Sequence, residues 1–152
     1  MYKKVFILLF TLFILNGCGY APIYSKTTNN ELNLELISFD GDREINKAIR
    51  YNLERYANKN NKNKFIIKTT SNYIKNAGTK NLAGNVTSYN IAASVNFQIT
   101  STKINKEFQF SETSAINNQN NQLDETIYEE NIKKNFAELF SKKLILQLLK
   151  IK

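Results

Sequence analysis

The 152-residue sequence has no histidine and no tryptophan, one cysteine, one methionine, one proline and five glycines. Without histidine there is no Ser-His-Asp or Cys-His nucleophile system, and one cysteine makes neither a Cys/His zinc site nor an internal disulfide. The five scattered glycines form no Gly-rich phosphate loop. Acids are scarce too, with 13 Asp plus Glu against 21 Lys plus Arg and a formal net charge of +8. The tightest acidic pairs are Asp40 with Asp42, Asp124 with Glu125 and Glu129 with Glu130. Each stands at or near a predicted helix start, where capping and dipole compensation account for it. No enzyme, metal or cofactor is expected, because general acid/base chemistry needs a positioned titrating group that this composition does not offer. The length suits one domain with one core.

A basic balance ordinarily suggests a polyanionic partner, nucleic acid or an acidic membrane surface. Here 18 Lys, 23 Asn and 17 Ile share A/T-rich codons, which alone would raise the basicity. The charge is nevertheless regional. Residues 43–80 carry ten basic and two acidic side chains, residues 81–131 two basic and six acidic, and residues 132–152 six basic and one acidic. A uniform codon bias does not leave an acidic block between two basic ones, so a functional basic surface is expected.

The amino terminus sets the compartment. Lys3 and Lys4 precede an apolar run from Val5 to Leu15, broken only by Thr11, and then come Asn16, Gly17 and Cys18. A basic segment, a short apolar segment and a small residue before a cut are the parts of a secretory signal. Eleven helical residues would cover only about 16 Å of a hydrocarbon core about 30 Å thick, so the run is too short for a spanning anchor. The only cysteine follows directly, in Leu15-Asn16-Gly17-Cys18, which resembles the bacterial lipobox at three of its four positions. That resemblance implies cleavage before Cys18, with N-palmitoyl and S-diacylglycerol groups on the new first residue. The acyl chains would hold the protein to the inner leaflet of the outer membrane without spanning it. Gly19, where a retention signal would place Asp, favours the outer membrane.

Residues 1–17 thus read as signal peptide, 18–30 as a lipidated tether and 31–152 as one α+β domain. Leu32, Leu34 and Leu36 alternate with Asn33 and Glu35 over 31–39, a half-buried strand. Asp40-Gly41-Asp42 ends it and supplies a helix N-cap. From Arg43 to about Asn58, Ile45, Ala48, Ile49, Leu53 and Tyr56 recur at helical spacing. The run NKNNKNK over 58–64 predicts a solvated loop, and 65–77 a second strand. Tyr89, Ile91, Ala93, Val95, Phe97 and Ile99 alternate strictly with more polar neighbours, a third strand. A turn at 102–106 joins it to a fourth at 107–114, forming an antiparallel hairpin. From Leu123 to about Leu149 the period becomes helical, with a stripe of Ile127 or Tyr128, Ile132, Phe136, Leu139, Phe140, Leu144 and Leu148. The predicted fold is two helices packed on one face of a four-stranded mixed sheet, in the order β-α-β-β-β-α.

The densest lysines are Lys59, Lys62, Lys64, Lys68, Lys75 and Lys80. Lys64, Ile66 and Lys68 share strand parity, so ammonium groups would stand beside apolar contacts on one face. Such a face suits a ligand with phosphates and acyl chains, and Lys62, Lys64, Lys68 and Lys75 are the candidate phosphate contacts. The competing reading is an edge strand whose lysines prevent aggregation.

Cys18-Gly19-Tyr20-Ala21-Pro22-Ile23-Tyr24 after a lipobox resembles the C-G-[F/Y]-x-P-[L/I]-Y start of the lipopolysaccharide-assembly lipoproteins of the LptE family, in their short alphaproteobacterial branch. The predicted element order is similar to that family's two helices on a four-stranded sheet. The resemblance implies an outer-membrane lipoprotein of the lipopolysaccharide export machinery. Such a protein sits as a plug in the LptD β-barrel translocon, assists barrel assembly and binds lipopolysaccharide. Only Cys18 carries over residue by residue. A second class stays open, an envelope lipoprotein acting as scaffold or adaptor for another periplasmic or membrane protein, with no lipid ligand. Nucleic acid is not expected as a partner, since the chain carries an export signal and lacks an aromatic-basic motif.

Overall fold

A computed structural model describes residues 32–57, 64–119 and 121–151. Cys18 with the residues read as signal and tether, and Lys59 and Lys62 of the loop expected over 58–64, lie outside them. Within the described residues the order is strand β1 (Asn33–Gly41), helix α1 (Arg43–Glu54), strands β2 (Lys64–Ala77), β3 (Ser88–Thr100) and β4 (Asn105–Asn117), and helix α2 (Gln122–Lys150). This is the predicted α+β architecture, and the four strands form one mixed sheet in the order β1-β2-β3-β4.

Parallel strands need a crossover of a dozen residues or more, and α1 with its flanks provides it between β1 and β2. The other two pairings are antiparallel, Ala77 to Ile66 against Tyr89 to Thr100 and Ser88 to Thr100 against Asn117 to Asn105. The hairpin strands are longer than the sequence pattern predicts. The added ends of β4, Asn105 and Lys106 on one side and Ala115 to Asn117 on the other, are held by backbone pairing to β3, and Ile116 is buried in the core.

Helix α1 forms because Asp42 caps it. Its Oδ1 accepts from the amides of Glu44 at 3.0 Å and Ile45 at 2.9 Å, satisfying two donors the helix cannot. Ile45, Ile49 and Leu53 follow at steps of four and are fully buried, each contributing about 1.5–3 kcal/mol by leaving water. The helix stops at Glu54, earlier than the pattern to Asn58 suggests, and Tyr56 and Ala57 donate back to Leu53 and Glu54 in a closing turn. Helix α2 buries Phe136, Ala137, Phe140, Leu144, Ile145 and Leu148. These residues meet α1 and the helix-facing side of the sheet, where β3 places Ile91, Ala93, Val95, Phe97 and Ile99.

One irregularity decides which way the edge strand faces. Pairing shifts between Leu36 and Ser38, so Leu34, Leu36 and Phe39 all turn toward the helices although 36 and 39 differ in parity. The bulge also leaves Ile37 half exposed, and a bulged edge resists pairing with another chain. No helix among the described residues is long and apolar enough to cross a membrane.

Candidate functional site

Strand parity sorts the candidate lysines. On β2 the odd positions Phe65, Ile67, Thr69 and Ser71 are buried beneath the helices, and the even positions face the other way. Lys64 and Lys68 therefore share the uncovered face, as expected. Lys64 pairs with Glu35 of β1 at 2.7 Å, both about half exposed. Lys68 stands beside Gln98, Thr100, Asn105, Lys106 and Glu107 in a shallow polar depression.

Lys75 does not join them. Its odd number puts it on the helix side, where its Nζ meets Glu125 Oε1 at 2.6 Å and Glu129 Oε2 at 2.8 Å and lies 4.4 Å from the centre of the Tyr89 ring. Lys133, one turn along α2 from Glu129, reaches Asp42 Oδ2 at 2.9 Å and Glu129 Oε1 at 3.7 Å, over the Tyr73 ring at 4.2 Å. These residues form a continuous ionic seam, Glu125-Lys75-Glu129-Lys133-Asp42, which ties the front half of α2 to β2 and to the cap of α1. Asp42 adds a third tie, since its amide donates to the Ser71 carbonyl at 3.3 Å and its carbonyl accepts from Ser71 Oγ at 3.3 Å.

The seam holds its charges. Burial pushes the carboxyl of Asp42 up, but the Ile45 amide, Lys133 and the Glu44 amide outweigh it and hold it below the usual aspartate value. Burial acts likewise on Glu129, and Lys75, Lys133 and Tyr73 outweigh it downward. For Lys75, burial favours the neutral amine, yet its hydrogen bonds to Glu125 and Glu129 raise it. Tyr73, raised by burial and by the charges of Glu129 and Asp42, keeps its proton. The acidic pairs of the sequence thus have two fates. Asp42 caps as expected, whereas Glu125 and Glu129 reach inward to residues about fifty positions away.

The uncovered sheet face is the larger feature. Cross-strand rows such as Thr70, Asn96 and Gln109, or Asn72, Ser94 and Ser111, run across three strands with short, uncharged polar side chains. Charges on this face stay near the strand ends, at Glu35, Lys64, Lys68 and Glu107 on one side and Asp40 on the other. Sequence reasoning singled out the lysines and passed over this face. Its signal was present in the alternate positions of β3, Asn90, Ser94, Asn96 and Gln98, where Lys and Glu are missing. The arrangement can hydrogen-bond broadly to a polar surface.

No protein-family model and no curated protein matches the sequence. Solved structures do match. Rare lipoprotein B from Shewanella oneidensis aligns at 12% identity with a TM-score of 0.58, covering 77% of this chain and 96% of that one. Lipoprotein B from Nitrosomonas europaea aligns at 14% identity with a TM-score of 0.51, covering 78% and 84% respectively. At such identities the likeness is one of fold: two helices on a four-stranded sheet is the architecture this chain shares with those lipoproteins.

Proposed function

We propose that this chain is an envelope lipoprotein, acylated at Cys18 and anchored in the outer membrane, whose domain plugs and helps assemble an LptD-type β-barrel translocon and binds lipopolysaccharide. The observation that carries this reading is the uncovered sheet face. An antiparallel sheet can keep one face in water, but it ordinarily solvates that face with Lys and Glu. Here the central rows are mostly Asn, Ser, Thr and Gln, with Ile74 and Ala92 between them, a surface suited to a wet, hydrogen-bonded contact. The lumen wall of an outer-membrane barrel is polar, so a plug meets it through a polar surface. The lipobox, the start motif at Cys18 to Tyr24 and the fold shared with solved lipoproteins support the same reading.

Lipopolysaccharide phosphates would meet Lys64 and Lys68, which share the open face, with Lys62 adjoining in sequence. Lys75 is committed to Glu125 and Glu129. The deciding experiment is affinity purification of the acylated chain from solubilised membranes, with mass spectrometry of the recovered proteins and of Cys18. A stoichiometric large β-barrel is expected, and Ser94→Asp with Ser111→Asp should reduce its recovery without unfolding the domain. Recovery of a periplasmic or inner-membrane protein instead would favour the adaptor reading.

A further inference from the structure

The sheet register and the element order place the ends of the described strands and helices at one of two poles. Strands β1 and β2 start, β3 ends and β4 starts at one pole, and both helices also finish there. Leu32, where the described chain enters, pairs with Ala57 at this pole, just past the end of α1. The cations gathered there come from three separate elements: Arg55 after α1, Lys103 and Lys106 at the β3–β4 hairpin tip, and Lys150 at the end of α2. All four are exposed. Among the described residues none of them has a carboxylate within ion-pair distance, although Arg55 is near enough to Glu138 to help lower its pKa. The acids of this region are Glu35, paired with Lys64; Glu107, bonded by Asn96; Glu138, engaged with Lys142; and Glu54. The opposite pole is the more acidic one, with Asp40, Asp42, Glu44, Asp124 and Glu125 against Arg43, Lys75 and Lys80.

We propose that this basic pole is a docking surface for an anionic phospholipid headgroup layer, which orients the domain with its tether-entry end against the membrane. Helix-dipole compensation accounts for Arg55 and Lys150 one at a time, and edge protection accounts for Lys106. Neither accounts for Lys103 in the hairpin turn, nor for the gathering of all four where the tether enters. From the proposed function the inference takes only the anchor at Cys18. Thirteen residues separate Cys18 from Leu32, a reach of at most about 50 Å, so the anchor confines the domain without fixing which pole faces the bilayer. Acyl chains supply retention; clustered Lys and Arg near an anionic leaflet supply attraction over about a Debye length. The pole therefore governs orientation rather than binding.

The test uses the full acylated chain, whose native cysteine is blocked by its lipid, with a dye on Thr102→Cys at the basic pole or on Leu82→Cys at the far one. The protein is placed in vesicles of phosphatidylcholine alone or with phosphatidylglycerol, and quenching by a headgroup-attached quencher is read. With phosphatidylglycerol, the Thr102→Cys dye is expected to be quenched several-fold more than the Leu82→Cys dye. That difference should collapse in 1 M salt and in the Arg55→Gln, Lys103→Gln, Lys106→Gln, Lys150→Gln variant, whose circular dichroism should match the parent. Equal quenching at the two poles would overturn the proposal. So would a difference that persists on phosphatidylcholine alone, or one that appears only when lipopolysaccharide is present. If mass spectrometry finds Cys18 unmodified, the anchor reading fails separately, and sedimentation of the unmodified chain with the two vesicle types decides the pole by the same charge criterion.

Discussion

Gly41 closes β1 with φ at +97°, and a Cβ built there would stand 1.7 Å from the carbonyl oxygen of Ser71. Strand and helix meet closely at this point because Asp42 must bond both the backbone of β2 and the first turn of α1. Gly41→Ala is expected to cost at least about 2 kcal/mol from backbone strain and the clash together, read as a lowered urea midpoint with an unchanged slope. The sequence marks this junction openly, since Asp-Gly-Asp between an alternating run and a 3.6-residue period is both strand stop and helix cap. The lysines are legible only in part. Parity alone separates Lys75 from Lys64 and Lys68, because 75 is odd and 64 and 68 are even. That Lys75 finds Glu125 and Glu129 is set by where α2 lands, which no local pattern encodes.

Helix α2 is two different helices end to end. Its second half buries apolar side chains in the ordinary way, from Phe136 to Leu148. Its first half turns Glu125, Glu129 and Lys133 inward and leaves Leu123, Ile127 and Tyr128 largely exposed. The apolar stripe drawn through Ile127 or Tyr128 and Leu139 therefore misplaces these residues, although Phe136, Phe140, Leu144 and Leu148 are buried as expected. The physical reason is that Tyr73, Lys75 and Tyr89 of the sheet offer that half a charged and aromatic floor, which an acidic helix face fits better than an apolar one. The consequence is a pH dependence centred on this half and on the α1 cap, since Glu138 of the other half, held low by Lys142, stands exposed on the surface. Asp42 and Glu129, ordinarily near 3.8 and 4.5, are held lower in the fold, so their stabilisation is complete above those values and is lost as pH falls through the depressed ones. Lys75 is held above 10.5, so its contribution persists until the pH rises through that raised value. Amide exchange in residues 122–133 is expected to lose protection as the pH falls below the ordinary carboxylate range, while residues 136–148 keep theirs. Simultaneous loss in both halves would contradict a separate ionic seam.

At the scale of the molecule, one core serves both helices and all four strands. Phe140, Leu144 and Leu148 of α2 are fully buried together with Ile45, Ile49 and Leu53 of α1 and the helix side of β3. Phe140 also stacks on Phe136, with ring centroids 6.2 Å apart. Phe140→Ala is expected to cost about 3–5 kcal/mol through lost burial and the cavity left behind. Because the elements share that core, unfolding should remain a single transition by near- and far-ultraviolet circular dichroism. Two separated transitions would show that the helices do not depend on one another. The same layout leaves the second sheet face uncovered, and the proposed contact with a polar barrel wall rests on that asymmetry.

The order of elements, the cap at Asp42 and the strict alternation of β3 were determined by the sequence itself, because each rests on contacts between residues close along the chain. The tertiary structure alone decided the bulge that turns Phe39 inward, the pairing of Lys75 with α2, and the placing of Arg55, Lys103, Lys106 and Lys150 at the pole where β1 begins. Those features depend on register and on helix placement, which bring together groups tens of residues apart. Charge counted along the chain gives two basic blocks; on the fold Lys75 and Lys133 of those blocks join an internal seam, Lys64 and Lys68 stand on the open face, and Arg55 and Lys150 lie at one pole.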